Sequence, residues 1–141
     1  MLCAALDTHL TTPSEEEELD GGRRLVVVGD VLLDRDIIGT VDRRSPEAPV
    51  PIVSGTHAVD RPGGAGLAAV LAAREPGWRI TLVGGIGQDA PGARVRELLY
   101  QAGVEVIDLA TAGTTPVKTR VRAGDRTLLR YDTTHAPPAP G

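Results

Sequence analysis

Asp30 and Asp34 stand just past the apolar run Leu25-Val26-Val27-Val28-Gly29. Two carboxylates placed there, with no cysteine or histidine cluster nearby, suit the hydroxyls of a small polar ligand better than a transition metal. The competing role for either is a loop carboxylate that caps a turn. Further on, Pro62-Gly63-Gly64 precedes an alanine-rich stretch. Free amides at a helix start attract an anion or a hydroxyl oxygen, and a tight turn needing positive φ would use the same glycines. Lys118, the single lysine, alternates with Arg120 and Arg122. On a strand these three cations share one face. They could hold a phosphate or a phosphorylated sugar, or guard a solvated strand face against edge pairing.

Other chemistry-bearing patterns have plainer readings. Gly85-Ile86-Gly87-Gln88-Asp89-Ala90-Pro91-Gly92 is spaced too widely for a dinucleotide fingerprint and follows the second strand of the pattern. It reads as a strand-to-helix loop, with Asp89 as helix N-cap and Pro91 in the first turn. Ala123-Gly124-Asp125 lies between two strand-like runs and reads as a hairpin turn. His57 and His135 are isolated, with neither metal-ligand spacing nor a nucleophile context.

The elements that must position these residues follow from periodicity. Leu25–Val28 is a buried parallel strand ending in glycine, and ligands in open α/β sheets sit outside the carboxyl ends of such strands. Ile37–Val41 is a short strand. The prolines of Ser45-Pro46-Glu47-Ala48-Pro49-Val50-Pro51 exclude helix and predict a stiff, extended path into an edge strand over Pro51–Ala58. A helix is expected over Gly64–Arg74, with Leu67, Val70 and Leu71 as its apolar side. Ile80–Gly84 is a second buried strand. A helix over Ala90–Ala102 turns Val95, Leu98 and Leu99 inward and is capped by Gly103, and Val104–Leu109 is a third strand. Strand, helix, strand, helix, strand implies a parallel sheet. Val117–Arg122 and Thr127–Tyr131 then form a hairpin about Gly124-Asp125, and a two-residue turn puts Leu129 and Tyr131 on the face of the three cations.

Composition bounds the rest. The chain of 141 residues suffices for one domain with a core, and with 2% aromatics and no phenylalanine that core must be aliphatic. The net charge of -4 is uneven, because Asp7, Glu15–Glu18 and Asp20 crowd an N-terminal stretch without Lys or Arg. Residues 1–22 therefore read as a disordered acidic tail, and the Pro-rich residues 134–141 as a frayed end. The remainder is too weakly basic and too poor in aromatics for nucleic acid. Cys3 alone permits no internal disulfide and suits a reducing compartment. Met1–Leu10 makes a poor signal peptide, and no apolar run is long enough for a bilayer. A cytoplasmic protein without membrane contact is expected.

Three stretches carry a resemblance. They are Val26-Val27-Val28-Gly29-Asp30-Val31-Leu32-Leu33-Asp34-Arg35, Arg43 through Val53 with its Ser-Pro-Glu-Ala-Pro-Val-Pro run, and Arg61-Pro62-Gly63-Gly64-Ala65. Thr115–Arg122 and Leu129–Asp132 add to them. Together, over residues 23–133, they resemble the N-terminal part of PfkB-type (ribokinase-like) carbohydrate kinases. The likeness is greatest to the heptose-phosphate kinase domain of bifunctional ADP-heptose synthases. The resemblance implies an α/β, ribokinase-like three-layer parallel sheet with a small β lid, here only as its N-terminal half. It implies that Asp34 with Asp30, Gly63 and Gly64 bind sugar hydroxyls, and that Lys118 and Arg120 grip a phosphorylated sugar.

The same resemblance sets limits. The family pattern continues Gly-Gly-Ala-Ala-Asn, whereas this chain has Gly66 and Leu67, which removes one polar substrate contact. The family's Gly-Ala-Gly-Asp motif, with its catalytic aspartate and the ATP site, lies downstream of the residues matched. No catalytic residue is expected in this chain, and the ATP and Mg used by the full-length family are not expected to bind well. Expected partners are a small sugar or sugar phosphate, and a homodimer through the lid strands or a complementing C-terminal half. The alternative is a non-catalytic sugar-phosphate-binding or dimerising module, or an inactive truncated product. A nucleotide-binding α/β domain fits less well, since neither a G-x-G-x-x-G nor a Walker lysine motif occurs.

Overall fold

A computed structural model describes residues 22–109 and 113–133. The expected acidic tail, apart from Gly22, and the expected Pro-rich end lie outside the described residues.

Apolar strands separated by helices pair in parallel. β1 (Arg23–Val28), β4 (Trp78–Gly84) and β5 (Glu105–Asp108) form a sheet in the order β1-β4-β5. Between β1 and β4 the chain builds a second sheet from β2 (Val31–Arg44) and β3 (Pro51–Gly64), completed by β6 (Val117–Ala123) and β7 (Arg126–Thr133). Its order is β3-β2-β6-β7, with β2 and β6 parallel and the outer pairs antiparallel. The expected α/β architecture, a parallel core sheet with a small β lid, is what the chain forms. The edge position expected for Pro51–Ala58 holds, since β3 borders this lid.

Helices α1 (Ala65–Ala72) and α2 (Ala90–Gln101) pack on one face of the core sheet. The core joins Ala69 of α1 and Val95 and Leu99 of α2 to Ile80, Leu82 and Ile86, and reaches Val31 and Leu33 of β2 in the lid. It is aliphatic throughout. The other face of the core sheet is bare among the described residues, with Val26 57%, Val28 71% and Ile107 54% exposed. α2 begins and ends as expected. Asp89 accepts from Gly92 N at 2.8 Å, and Gly103 and Val104 donate back to the carbonyls of Tyr100 and Leu99, a Schellman end with Gly103 at φ 72°.

Three expectations fail for physical reasons. β2 is a 14-residue strand, far longer than Ile37–Val41. Asp34, Arg35 and Asp36 break the apolar pattern, but each finds an opposite charge on a neighbouring strand. The proline-rich run is also not extended. It reverses the chain between antiparallel β2 and β3, closed by Ser45 N donating to Val50 O at 2.9 Å. Finally, α1 does not bury its leucines. Gly66 and Ala69 face inward, while Leu67 and Leu71 are 37% and 49% exposed. A Cβ on Gly66 would meet that of Pro62 at 3.0 Å, so the helix lies too near β3 for a large side chain on that side.

Candidate functional site

The chain crosses from the core sheet to the lid at Gly29-Asp30 and returns at Gly63-Gly64, and the two crossings touch. The carbonyl of Asp30 accepts from Ala65 N at 2.9 Å. Gly64, the N-cap of α1, has φ 59° and ψ -131° and makes no side-chain cap. A Cβ there would stand 2.4 Å from the Asp30 carbonyl oxygen, so only glycine fits. The positive φ expected of this pair falls on Gly64 alone. Gly63 has a different duty. A Cβ on it would meet Leu32 Cδ1 at 2.3 Å and Asp34 Oδ2 at 2.7 Å. Its missing side chain lets the Asp34 carboxylate lie against the backbone.

Asp34 sits within β2, not in a loop after β1, because β2 starts at Val31. Its Cα partners are Arg61 of β3 and Lys118 of β6. It is 8% exposed. Its Oδ1 accepts no hydrogen bond among the described residues, although Lys118 Nζ at 3.8 Å and Arg120 Nη2 at 3.6 Å keep it in a cationic field. A buried carboxylate oxygen left open is costly unless a ligand donates to it. Asp30 is exposed; its carbonyl braces the α1 start while its side chain faces solvent. Asp34, Gly63, Lys118 and Arg120 thus adjoin one another, while Asp30 and Gly64 meet through the Asp30 carbonyl at the neighbouring crossing.

Sequence reasoning missed Asp36, two residues along the same face of β2. It is 3% exposed and meets Arg61 at 3.0 Å, Arg120 at 3.3 Å and Arg122 at 3.5 Å. Burial opposes its ionisation, but the hydrogen bonds and charges of Arg61 and Arg120 outweigh that, so its carboxyl titrates below the ordinary value. The signal was the i, i+2 spacing of Asp34 and Asp36, legible once the strand is drawn through both. Across this face Arg61, Lys118, Arg120, Arg122 and Arg130 outnumber Asp34, Asp36 and Asp132, which leaves it cationic.

The partners of the cation face differ from expectation. The two-residue turn at Gly124-Asp125 is present, but a register shift between Val121 and Arg122 moves the pairing by one. Lys118 then faces Asp132, and Arg120 faces Arg130. Leu129 and Tyr131 oppose Val121 and Thr119 on the other face. One added residue at a bulge flips every side chain beyond it.

The return of the chain to the lid is held by one carboxylate. Asp89 Oδ2 accepts from Thr115 N at 2.8 Å while its Oδ1 serves Gly92 N, and Thr115 Oγ1 accepts from Gly87 N at 3.0 Å. Burial raises the Asp89 pKa, and the backbone donors of Thr115 and Gly92 pull it back below the ordinary value. This clamp fixes the start of β6, and with it the placing of Lys118. Among the described residues no three His, Cys, Asp or Glu side chains converge as a metal site would require. Nor is any described helix long and apolar enough to cross a membrane.

Comparison with known proteins agrees with this fold. Residues 23–138 match the pfkB family of carbohydrate kinases. The chain is 54% identical over 108 residues to the "Bifunctional protein HldE" of Streptomyces coelicolor, covering 77% of this chain and 23% of that protein. It is 44% identical over 111 residues to the "D-beta-D-heptose 7-phosphate kinase" of Bordetella bronchiseptica, covering 77% of this chain and 35% of that protein. Among solved structures it resembles a carbohydrate kinase from Agrobacterium tumefaciens, with a TM-score of 0.62 at 23% identity over 79% of this chain and 35% of that one. It also resembles a ribokinase from Cryptococcus neoformans in complex with ADP, with a TM-score of 0.51 at 27% identity over 80% of this chain and 33% of that one. The chain spans about a quarter to a third of the length of these relatives.

Proposed function

The chain belongs to the pfkB family of carbohydrate kinases, and on that footing we propose that it supplies the sugar-binding part of a heptose-phosphate kinase. The full reaction would move the γ-phosphoryl group of ATP to a sugar hydroxyl. The observation that carries the reading is Asp34 Oδ1, buried and without a hydrogen-bond donor among the described residues, beside Gly63, Lys118 and Arg120.

Each group has a stated task in this proposal. Asp34 accepts a sugar hydroxyl, and Asp30 accepts a second from the solvent side. Gly63, by lacking a Cβ, lets the Asp34 carboxylate lie where it meets the sugar. Gly64 holds the first turn of α1, whose free amides face an oxygen of the ligand. Lys118 and Arg120 bind the phosphate that the sugar already carries, for which the cationic excess of the lid face is suited. In the family, ATP supplies the transferable phosphoryl group and Mg offsets its charge.

Calorimetric titration of the 141-residue chain with D-β-D-heptose 7-phosphate tests this. Binding without release of ADP from added ATP is the expected result. An absence of binding overturns the sugar-site reading, and turnover overturns the assignment of this chain to the sugar side alone. A second reading, a module that docks a homodimer partner or a complementing C-terminal half, is favoured by the bare apolar face of Val26, Val28 and Ile107.

A further inference from the structure

Asp36 is an acid with no direct task in the proposal above. It is buried in the lid, and three guanidinium groups from two flanking strands converge on its carboxylate. Arg61 Nη2 and Arg122 Nη1 meet Oδ2 at 3.0 and 3.5 Å, and Arg120 Nη1 meets Oδ1 at 3.3 Å. The side chains of these arginines remain 44%, 28% and 31% exposed for Arg61, Arg122 and Arg120, so one part of each fork is held while another part is wet. Arg120 is shared, since its Nη2 also lies 3.6 Å from Asp34. A buried carboxylate with three cations is over-neutralised. As a stability device alone it is a poor choice, because desolvation offsets most of the Coulombic gain. As a jig it makes sense, since arginine side chains carry rotamer entropy that is otherwise lost when they grip an anion.

We infer that Asp36 is a positioning residue, which orients Arg61, Arg120 and Arg122 in advance and so lets the lid prefer a phosphorylated sugar over an unphosphorylated one. The inference rests on the sugar-phosphate reading of the site. It makes a prediction whose sign is opposite to simple electrostatics. Replacing Asp36 by asparagine makes the face more positive, and charge alone would tighten an anion. Loss of orientation loosens it.

Two measurements on the whole chain separate these outcomes. The first needs no ligand: 15N relaxation of the arginine Nε–H groups. Arg61, Arg120 and Arg122 are expected to be rigid in the unaltered protein and mobile in Asp36→Asn, with exposed Arg126 as the mobile reference. If those three are as mobile as Arg126 in the unaltered protein, the inference is overturned, and that result stands even if the variant does not fold. The second is calorimetry with heptose 7-phosphate and unphosphorylated heptose. Asp36→Asn is expected to weaken the phosphorylated sugar by about tenfold and leave the other within about twofold. Unchanged or tighter binding of the phosphorylated sugar overturns the inference. If the unaltered chain binds neither sugar, the sugar-site reading fails and the relaxation data alone decide the role of Asp36.

Discussion

Lys118 Nζ stands 3.8 Å from Asp34 Oδ1, across a parallel strand pair in which the two Cα atoms are in register. The contact is too long for a hydrogen bond and short enough for charge. It offsets the charge of the carboxylate while leaving its inner oxygen without a donor among the described residues. Asp34→Ala is therefore expected to weaken sugar-phosphate binding by about tenfold or more. The melting temperature should move by only a few degrees, because Lys118 and Arg120 can turn to water. Calorimetry beside a thermal melt checks both, and unchanged affinity would remove Asp34 from the site.

Asp89→Asn tests the clamp on the lid. Both oxygens of Asp89 accept backbone N–H groups, one within α2 and one at Thr115. An asparagine can accept only one and turns an NH2 group toward the other. The expected loss is about 1–3 kcal/mol in urea unfolding. A neutral result would show that Thr115 is held by other means.

Stability should fall in acid with a defined onset. Asp60 is lowered chiefly by its hydrogen bond to Arg35, and Asp36 and Asp89 are lowered as described, all from an ordinary 3.8. A carboxyl with a depressed folded pKa stabilises above its unfolded value, and that contribution goes as pH falls through the folded one. The urea midpoint should thus stay level through neutral pH and drop below about pH 4. Asp60→Asn should make that acid limb shallower. An equally steep limb in the variant would refute the assignment.

Gly64→Ala places a Cβ 2.4 Å from the Asp30 carbonyl oxygen, at a backbone φ of 59°. The strain is expected to cost about 1–3 kcal/mol, with a further cost from moving the crossing. Gly124→Ala is the control, since φ there is 55° but nothing lies within 4 Å of an added Cβ. Denaturant curves should show Gly64→Ala as clearly the worse of the two.

The bare face of the core sheet should govern solubility. Val26 and Val28 project from β1 at 57% and 71% exposure. Val26→Thr with Val28→Thr keeps the strand propensity and removes apolar area. Light scattering should show less self-association in the double variant, and no change would mean that another surface drives it.

Much of this molecule was legible in its sequence because the signals are local. Leu25–Val28 and Ile80–Gly84 are apolar runs that stop at glycine, and both became strands of the core sheet, although the first is not buried as expected, since Leu25, Val26 and Val28 are exposed. Asp89 and Gly103 bracket α2 as its cap residues. Gly63 and Gly64 marked a close crossing, and the alternation of Lys118, Arg120 and Arg122 set them on one face. What the tertiary structure decided depends on residues far apart in the chain. Asp36 reads as an interruption of an apolar pattern until Arg120, 84 residues away, is placed beside it. The length of β2 follows from the same pairing, since buried charge is tolerated in a strand only where the next strand neutralises it. A bulge at Val121-Arg122 moved Leu129 and Tyr131 to the opposite face, and no local signal fixes a one-residue register. The sequence by itself determined which segments are strand or helix and where the chain must turn tightly. Only the fold decided which charges meet, because Coulombic partners are chosen by proximity in space and not by spacing along the chain.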